Sequence, residues 1–406
     1  MSKTEMNRKG WQTKTLGALA TLSGRIGWKG LTAKEYTVDG PLFLSVHSLN
    51  YGDYVDFRDA FHISRQRFEE SPEIVLQSGD VLICKDGAGI GKLGIVGALP
   101  FESTINSSLL LIRAGKEILP KYLYRCLSSP YFQQIVLSKL NGATTPHLYQ
   151  RDITEFPIHF PSVKEQERIV AILDEAFDGI AIARANAEKN LQNARAIFER
   201  YLQSILLDPE LAWRSLGDLC TGVEYGTSSK SLETGKVPVL RMGNIQNGRL
   251  DWRDLVYSDD AFEIQKYLLR HNDVLFNRTN SPELVGKTAI YKSEQPAMFA
   301  GYLIRVNRIE DLLDGDFLCY YLNSQKAIEY GKTVVISSVN QANINGTKLK
   351  GYPIPAPPIT EQREIVKKLD ALNEEIQCLE AIYQKKLTVL DELKKSLLHR
   401  AFNGDL

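Results

Sequence analysis

The stretch that decides the fold is FPIHFPSVKEQERIVAILD, residues 156–174, because it occurs a second time as YPIPAPPITEQREIVKKLD, residues 352–370. The two stretches align without a gap at a constant offset of 196 residues, and 9 of the 19 positions are identical. Self-similarity at a fixed spacing indicates a duplicated structural unit. In the first copy the identical positions are Pro157, Ile158, Pro161, Glu165, Gln166, Ile169, Val170, Leu173 and Asp174.

Further matches upstream extend the repeat over most of the chain. GDVLI at 79–83 corresponds to NDVLF at 272–276, and LIR occurs at both 111–113 and 303–305. Between these motifs, short runs rich in Val, Ile, Tyr and Phe alternate with Gly, Asn, Asp and Pro, as is typical of strands joined by turns. The sequence therefore predicts an α+β chain with a pseudo-twofold internal repeat. We expect mainly β domains with short helices at residues 1–155 and 208–351, each followed by a lead-in and a long helix, at residues 156–207 and 352–406.

Each repeat ends in the pattern of a long coiled-coil helix. Prolines keep the lead-in extended, and Ser162 and Thr360 stand where an N-cap is favoured. Beyond them, apolar residues recur at alternating spacings of three and four, and such a stripe requires a packing partner. Because each helix leads from one repeat towards the other, we predict an antiparallel pair. Its packing residues are Ile169, Leu173, Ile180, Leu191, Phe198, Ile365, Leu369, Leu372, Ile376, Leu379, Tyr383, Leu387 and Leu390.

The composition is that of an ordinary globular chain. The 49 basic and 49 acidic side chains give a net charge of zero, which argues weakly against a nucleic-acid-binding protein. No apolar stretch reaches the roughly 18 residues that a membrane span needs. The five cysteines are scattered and form no CxxC pair, so we expect reduced thiols in a cytoplasmic protein.

The stretch KDGAGIGKLG, residues 85–94, has the glycines of a phosphate-binding loop but not their spacing. In GxxxxGK[ST] the first glycine shapes the loop and the hydroxyl reaches magnesium. Here Asp86 and Leu93 occupy those two positions, and the counterpart SPELVGKT, residues 281–288, begins with Ser281. We interpret the stretch as a turn between two strands, whose glycines allow positive φ.

Other catalytic and metal-binding motifs are missing from the sequence as well. It contains no HExxH, no GxSxG, no zinc-type Cys/His spacing and no S-adenosylmethionine or nuclease motif. The sequence therefore predicts no catalytic residue, no metal and no cofactor.

The duplicated arrangement resembles the specificity subunit of type I restriction–modification systems. The motifs that carry the resemblance are FPIHFPSVKEQERIV, YPIPAPPITEQREIV, the terminal LLHRAFNGDL and GDVLICKDGAGIGK. The resemblance implies that each variable domain is a target recognition domain reading one half of a split sequence in double-stranded DNA. It also implies that the helices set the distance between the halves.

The same resemblance implies the partners. Two methyltransferase subunits would carry the S-adenosylmethionine chemistry, and two motor/nuclease subunits could join them for translocation and cleavage. The chain itself would confer sequence choice without catalysis.

Three pairs of corresponding segments are candidates for DNA contact, because their polar side chains can bind phosphates and base edges. The first pair is residues 43–52 and 239–248, the second is residues 85–94 and 276–287, and the third is residues 141–150 and 337–346. An ordinary polar surface explains the same residue types. The leading candidate is Arg278, followed by Asn280 and Arg241. The first repeat supplies Ser45, His47, Ser48, Asn50, Lys85, Lys92, Thr144, Thr145 and His147; the second supplies Arg241, Asn244, Gln246, Asn247, Asn277, Arg278, Thr279, Asn280, Lys287, Asn340, Gln341 and Asn343.

Two other functions remain open from the sequence. The chain could be the recognition subunit of a type IIB-like system, in which one methyltransferase/nuclease polypeptide is its partner. It could also be a two-headed protein–protein scaffold, whose domains bind peptides across a helical spacer.

Overall fold

A computed structural model describes residues 10–25, 31–140, 147–206, 211–246, 248–338 and 341–406. The chain divides into two compact units. The first consists of residues 1–187 and 385–406, and the second of residues 188–384. Each unit therefore takes one domain from one repeat and part of both long helices.

The first unit is built on two small sheets. Its strands are β1 (Gln12–Thr15), β2 (Ala20–Gly24), β3 (Tyr36–Leu44), β4 (Phe61–Ile63), β5 (Val81–Cys84), β6 (Leu93–Ile95), β7 (Ser103–Ile105), β8 (Leu109–Ala114) and β9 (Pro157–Phe160). Its helices are α1 (Leu16–Leu19), α2 (Arg65–Glu69), α3 (Pro120–Leu127), α4 (Pro130–Leu140), α5 (Gln150–Thr154) and the start of α6 (Val163–Leu206). One sheet has the order β2-β8-β5-β6 and the other β4-β3-β7, while β1 pairs with β9 in the lead-in.

The second unit repeats this arrangement. Its strands are β10 (Trp213–Ser215), β11 (Cys220–Tyr225), β12 (Val237–Leu240), β13 (Ile245–Gln246), β14 (Arg249–Leu250), β15 (Val256–Ser258), β16 (Val274–Asn277), β17 (Thr279–Asn280), β18 (Thr288–Ile290), β19 (Met298–Phe299), β20 (Leu303–Arg308), β21 (Ile336–Ser338), β22 (Gln341–Asn343) and β23 (Pro353–Pro355). Its helices are α7 (Ala261–Tyr267), α8 (Gly315–Leu322), α9 (Gln325–Val334), α10 (Gly346–Lys350) and most of α11 (Ile359–Asn403).

The sheet orders confirm the internal repeat. The second unit has sheets β11-β20-β16-β18 and β15-β12-β19, and β10 pairs with β23. Each sheet has the same number of strands, in the corresponding order, as its counterpart in the first unit. Among the described residues, the second unit has in addition the hairpin β13-β14 and the sheet β17-β22-β21. The predicted fold class, α+β with mainly β domains and two long helices, is confirmed.

Repeated motifs place an ion pair in each larger sheet, with a buried carboxylate at Asp80 and a partly buried one at Asp273. Asp80, from GDVLI, accepts two hydrogen bonds of 2.7 Å from Arg113 of the first LIR motif. Asp273, from NDVLF, accepts one of 3.1 Å from Arg305 of the second LIR motif. A buried carboxylate requires such a partner, so these two motifs recur together.

The long helices pack against each other within both units. In the first unit, the beginning of α6 and the end of α11 share a core that contains Leu173 and Leu398. In the second unit, the end of α6 and the beginning of α11 share a core that contains Leu202 and Leu369. In each unit the beginning of one helix packs against the end of the other, so the two helices are antiparallel, as the sequence predicts.

Burial along the helix stripes follows the predicted seam with one correction. Ile169, Leu173, Leu369, Ile376 and Leu387 are buried, and the other predicted positions are partly buried apart from Leu379.

Leu379 is 38% exposed. Between Ile376 and Tyr383, the residue that faces α6 is Glu380, which accepts a hydrogen bond of 2.6 Å from Arg195. Leu379 therefore lies at the edge of the helix–helix contact.

The two long helices begin at equivalent positions of the repeat, Val163 and Ile359. Ser162 stands directly before α6 and its carbonyl accepts bonds from the amides of Glu165 and Gln166, as an N-cap residue would. Thr360 is already inside α11, which begins at Ile359, so the prediction that Thr360 is the N-cap is wrong. The residue equivalent to Ser162 is Pro358, whose carbonyl accepts bonds from the amides of Glu361 and Gln362 in the same way.

All five cysteines are free thiols, and only Cys378 is exposed. None of the helices in the described parts of the chain is long and apolar enough to cross a membrane.

Candidate functional site

The glycine-rich stretch of the first repeat forms a hairpin turn. Strands β5 and β6 pair antiparallel, and the amide of Gly91 donates a bond of 2.9 Å to the carbonyl of Cys84. Gly91 has a φ of 82°, in the region that favours glycine. The interpretation of residues 85–94 as a turn is confirmed.

The second repeat closes the same turn with other residues. Strands β16 and β18 pair antiparallel, and the amide of Gly286 donates a bond of 2.8 Å to the carbonyl of Asn277. Gly286 has a φ of 95°. The lysine that follows each glycine, Lys92 or Lys287, therefore occupies the same backbone position in the two units.

Two predicted segments of the first unit meet at a groove of about 400 Å³. His47 and Asn50 line one wall, and Asp86 and Lys92 line the other. The ammonium group of Lys92 donates a bond of 2.6 Å to Oδ1 of Asn50. The Oγ atom of Ser45 lies 3.3 Å from Nδ1 of His47. The groove, which Gly87 and Gly89 also line, thus offers hydrogen-bond donors and acceptors.

The third predicted segment adds His147 beside this groove. Its Nδ1 atom is hydrogen-bonded to the carboxylate of Asp86. The backbone continues the contact, because the amide of Leu148 donates a bond of 2.9 Å to the carbonyl of Lys85. All three predicted segments of the first unit are therefore neighbours, although Thr144 and Thr145 lie outside the described residues.

The same junction exists in the second unit with different side chains. Strand β17 pairs with β22, and Nδ2 of Asn343 donates a bond of 2.7 Å to Oγ1 of Thr279. The amide of Ile344 donates a bond of 2.9 Å to the carbonyl of Arg278, as Leu148 does to Lys85. Lys85 and Arg278 are thus equivalent positions, as are His147 and Asn343.

The leading candidate, Arg278, is partly buried against its own domain. Its guanidinium lies 4.9 Å from the ring centre of Tyr225, and Nη1 donates a bond of 3.2 Å to the carbonyl of Gly301. Stacking of this kind fixes the orientation of a guanidinium. Next to it, Asn280 is partly exposed and its Oδ1 accepts a bond from the amide of Ser281.

The segment around Arg241 is not brought to this junction by any described contact. Arg241 donates a bond of 2.9 Å to the carbonyl of Asp254, and Gln246 donates one of 3.0 Å to the carbonyl of Gly243. Strand β14 lies against β18, so the hairpin reaches the side of the domain where Lys287 lines a cleft of about 920 Å³.

Three candidates in or beside these segments are not placed by the structure. Asn247 and Asn340 lie outside the described residues, and Gln341 is described only as part of strand β22.

Four predicted contacts are corrected because their side chains are buried: Ser48, Asn244, Asn277 and Thr279. Asn277 donates a bond of 3.2 Å to the carbonyl of Leu284 inside the turn, and Thr279 accepts the bond from Asn343. The side chains of Asn277 and Thr279 are thus used within their own loop, and that of Ser48 is buried without a hydrogen-bond partner for its hydroxyl among the described residues.

Asn244 organises its loop in the same way. Its Oδ1 accepts a bond of 2.8 Å from the amide of Arg241, and its Nδ2 donates bonds of 3.0 Å to the carbonyls of Asp251 and Arg253. Polar residue type alone did not distinguish such loop-building amides from exposed ones.

One surface feature was missed in the sequence, although the repeat contains its signal. DFRD at 56–59 corresponds to DWRD at 251–254. Arg58 donates hydrogen bonds to Asp56, and Arg253 donates hydrogen bonds to Asp251, all of 2.6–3.0 Å. The side chains of the two arginines are 62% and 84% exposed. The bond from Arg253 lowers the pKa of Asp251 to about 2. Each domain therefore presents a fixed, permanently charged guanidinium at the same position.

In the described parts of the chain, no cluster of three or more His, Cys, Asp or Glu side chains could hold a metal ion.

Comparison with known proteins places both repeats in one family. Residues 8–192 and 210–386 match the family described as type I restriction modification DNA specificity domain. The specificity subunit of the type I restriction enzyme StySPI of Salmonella potsdam is 26% identical over 434 residues, covering 99% of this chain and 91% of that protein. The EcoKI specificity subunit of Escherichia coli K12 is 24% identical, covering 98% and 89%.

Solved structures share the fold. A chain from a structure concerned with complex assembly and conformational transition of the type I R-M system has a TM-score of 0.79 at 20% identity, covering 98% of this chain and 99% of that one. The HsdS subunit of Thermoanaerobacter tengcongensis has a TM-score of 0.60 at 19% identity, covering 99% and 100%. Since the family match spans most of both repeats, this chain belongs to the type I restriction–modification DNA specificity family.

Proposed function

We propose that this chain is the DNA sequence-specificity subunit of a type I restriction–modification complex and that it reads a two-part target, one part with each domain. The observation that carries the proposal is the equivalence of backbone positions with different side chains. Lys85 corresponds to Arg278, and His147 corresponds to Asn343. A shared scaffold with different hydrogen-bonding groups is what two readers of different half-sites need.

The target recognition domains comprise residues 1–155 and 208–351, and residues 156–207 and 352–406 form the lead-ins and helices. The proposed DNA-facing set loses the four buried residues and gains Arg58, Arg253 and Asp86. Arginine and lysine supply phosphate contacts, whereas asparagine, histidine and aspartate match base edges.

The proposed partners are two methyltransferase subunits, with motor/nuclease subunits in the full complex. The chain contributes no catalytic group of its own, in keeping with the missing motifs. A neutral chain gains DNA affinity when a partner adds positive surface, so binding should be strongest in the complex.

An electrophoretic shift assay tests DNA binding against the scaffold alternative. The chain is combined with the methyltransferase encoded beside it and mixed with a random duplex library. The proposal expects retention of a subset of duplexes that share two short motifs at one separation. A complex that binds no DNA would favour the protein–protein scaffold. A separate nuclease-fused methyltransferase in the neighbouring reading frame would favour the type IIB-like assignment.

A further inference from the structure

One side chain in each long helix holds that helix to its recognition domain. Gln166 lies in the first turn of α6 and Gln362 in the first turn of α11, and both side chains are completely buried. They are equivalent members of the repeated EQ motif. Amide side chains are seldom buried unless all their polar atoms are bonded, so their partners explain the burial.

In the first unit, Gln166 joins three backbone segments. Its Oε1 accepts a bond of 2.9 Å from the amide of Leu119. Its Nε2 donates bonds of 2.9 Å to the carbonyl of Glu117 and 3.0 Å to that of Pro161. The first two partners precede α3 in the domain, and the third belongs to the lead-in.

In the second unit, Gln362 makes the same three bonds. Its Oε1 accepts a bond of 2.9 Å from the amide of Asp314. Its Nε2 donates bonds of 2.9 Å to the carbonyl of Leu312 and 2.8 Å to that of Pro357. Both protons of the amide and its oxygen are used, so no other residue type of this length satisfies all three partners.

A second attachment follows eight residues along each helix. Asp174 accepts bonds of 2.6 Å from Lys121 and 2.9 Å from Arg125, both on α3. Asp370 accepts one of 2.5 Å from the hydroxyl of Tyr320 on α8. At 1.5 Å per residue the two attachments of a helix are about 12 Å apart, and two such points define the direction of the helix relative to the domain.

We propose that Gln166 and Gln362 are positioning residues that fix the orientation of each recognition domain on its helix, and so determine how strictly the protein selects the separation of the two half-sites. The inference rests on the proposed function. One base pair added to the spacer shifts a half-site by about 3.4 Å and rotates it by roughly 35°. A domain held at its helix by three directed bonds resists that displacement, and a domain that has lost them accommodates it.

The test uses the chain in complex with its methyltransferase and duplexes whose spacer is the preferred length or one base pair longer or shorter. Gln362→Leu removes all three bonds and should lower the affinity ratio between preferred and altered spacers by about fivefold. Gln166→Leu should do the same from the other domain. Arg363→Leu is the matched control, because Arg363 is the exposed neighbour of Gln362 and should leave the ratio unchanged.

A merely structural role gives a different result. If Gln362→Leu weakens binding to all spacers equally, the positioning role is wrong. Thermal unfolding shows whether Gln362→Leu folds. If it does not, Gln362→Asn, whose side chain is shorter but still polar, is measured in its place and must lower the affinity ratio between preferred and altered spacers. Wild-type protein without any spacer preference would instead refute the proposed function.

Discussion

Lys85 and Arg278 show what a single residue does in this protein. The two residues have the same backbone bonds. The amide of each donates to the residue directly before the neighbouring strand β8 or β20, and the carbonyl of each accepts from the segment before the next short helix. Their side chains differ, whereas Asp80 and Asp273 and their arginine partners are the same in both units. Identity between the repeats therefore identifies scaffold residues, and difference at an equivalent exposed position identifies candidates for readout.

Arg278→Ala is expected to weaken binding by about 1–3 kcal/mol and to relax selectivity in one half of the target only. The physical reason is that a stacked guanidinium can bind one guanine edge with two bonds. Selection of preferred duplexes from a randomised library measures the change in selectivity. Lys85→Ala is the matched variant and should relax the other half. Uniform loss over all sequences would make Arg278 a phosphate contact, and unchanged binding would remove it from the interface.

Arg253→Ala is expected to weaken binding on every sequence equally. Its bonds to Asp251 are made through Nε and Nη2, so Nη1 is available for a phosphate. The slope of log affinity against log salt should fall by about 1. Arg58→Ala should lower the slope by a similar amount. Arg363→Leu, which lies on the long helix, should leave the slope unchanged. A change of base preference without a change of slope would contradict this role.

At the scale of single elements, the long helices were the most predictable part of the fold. Their apolar spacing and the proline lead-ins are properties of the sequence alone, and the structure contains α6 and α11 with 44 and 45 residues. The exposure of Leu379 was not predictable from the sequence. The alternating spacing of apolar residues by three and four cannot show where a charged residue such as Glu380 takes the place of an apolar one in the helix–helix contact. The N-cap of α11 was misplaced by two residues, because the prediction chose the hydroxyl side chain of Thr360 whereas Pro358 directly precedes the helix.

The short β elements were predictable as a class, but their contacts were not. The repeat indicated which segments correspond, and the structure brings three of them together in the first unit. Burial of Ser48 or Asn277 depends on strands distant in sequence, so residue type could not reveal it. Asp86 was missed for the same reason, as its partner His147 is 61 residues away.

The seam between the helices provides a prediction at this scale. Leu387→Asp places a charge at a position that is 8% exposed and should lower the free energy of unfolding by about 3 kcal/mol or more. Leu379→Asp, on the same helix but 38% exposed, should change it by less than about 0.5 kcal/mol. Denaturant unfolding followed by circular dichroism measures both. Equal effects of the two substitutions would show that the seam is misassigned.

At the scale of the whole molecule, one chain carries two versions of a recognition domain on one scaffold. Its 49 basic and 49 acidic side chains cancel, so affinity for DNA cannot rest on net charge. In the proposed function, selectivity comes from particular groups at the two junctions, and the chemistry comes from partner subunits. This proposed division agrees with the lack of a recognised catalytic motif in the sequence of 406 residues.

Sequencing of methylated bases in a host that expresses this chain with its methyltransferase tests the central claim most directly. The proposed function predicts methylation within one asymmetric motif made of two short specific parts separated by a fixed number of unspecified base pairs. It also predicts that replacing residues 208–351 by the corresponding domain of a relative changes only one of the two parts. Methylation at a single uninterrupted motif, or no dependence of the methylated sequence on this chain, would contradict the account.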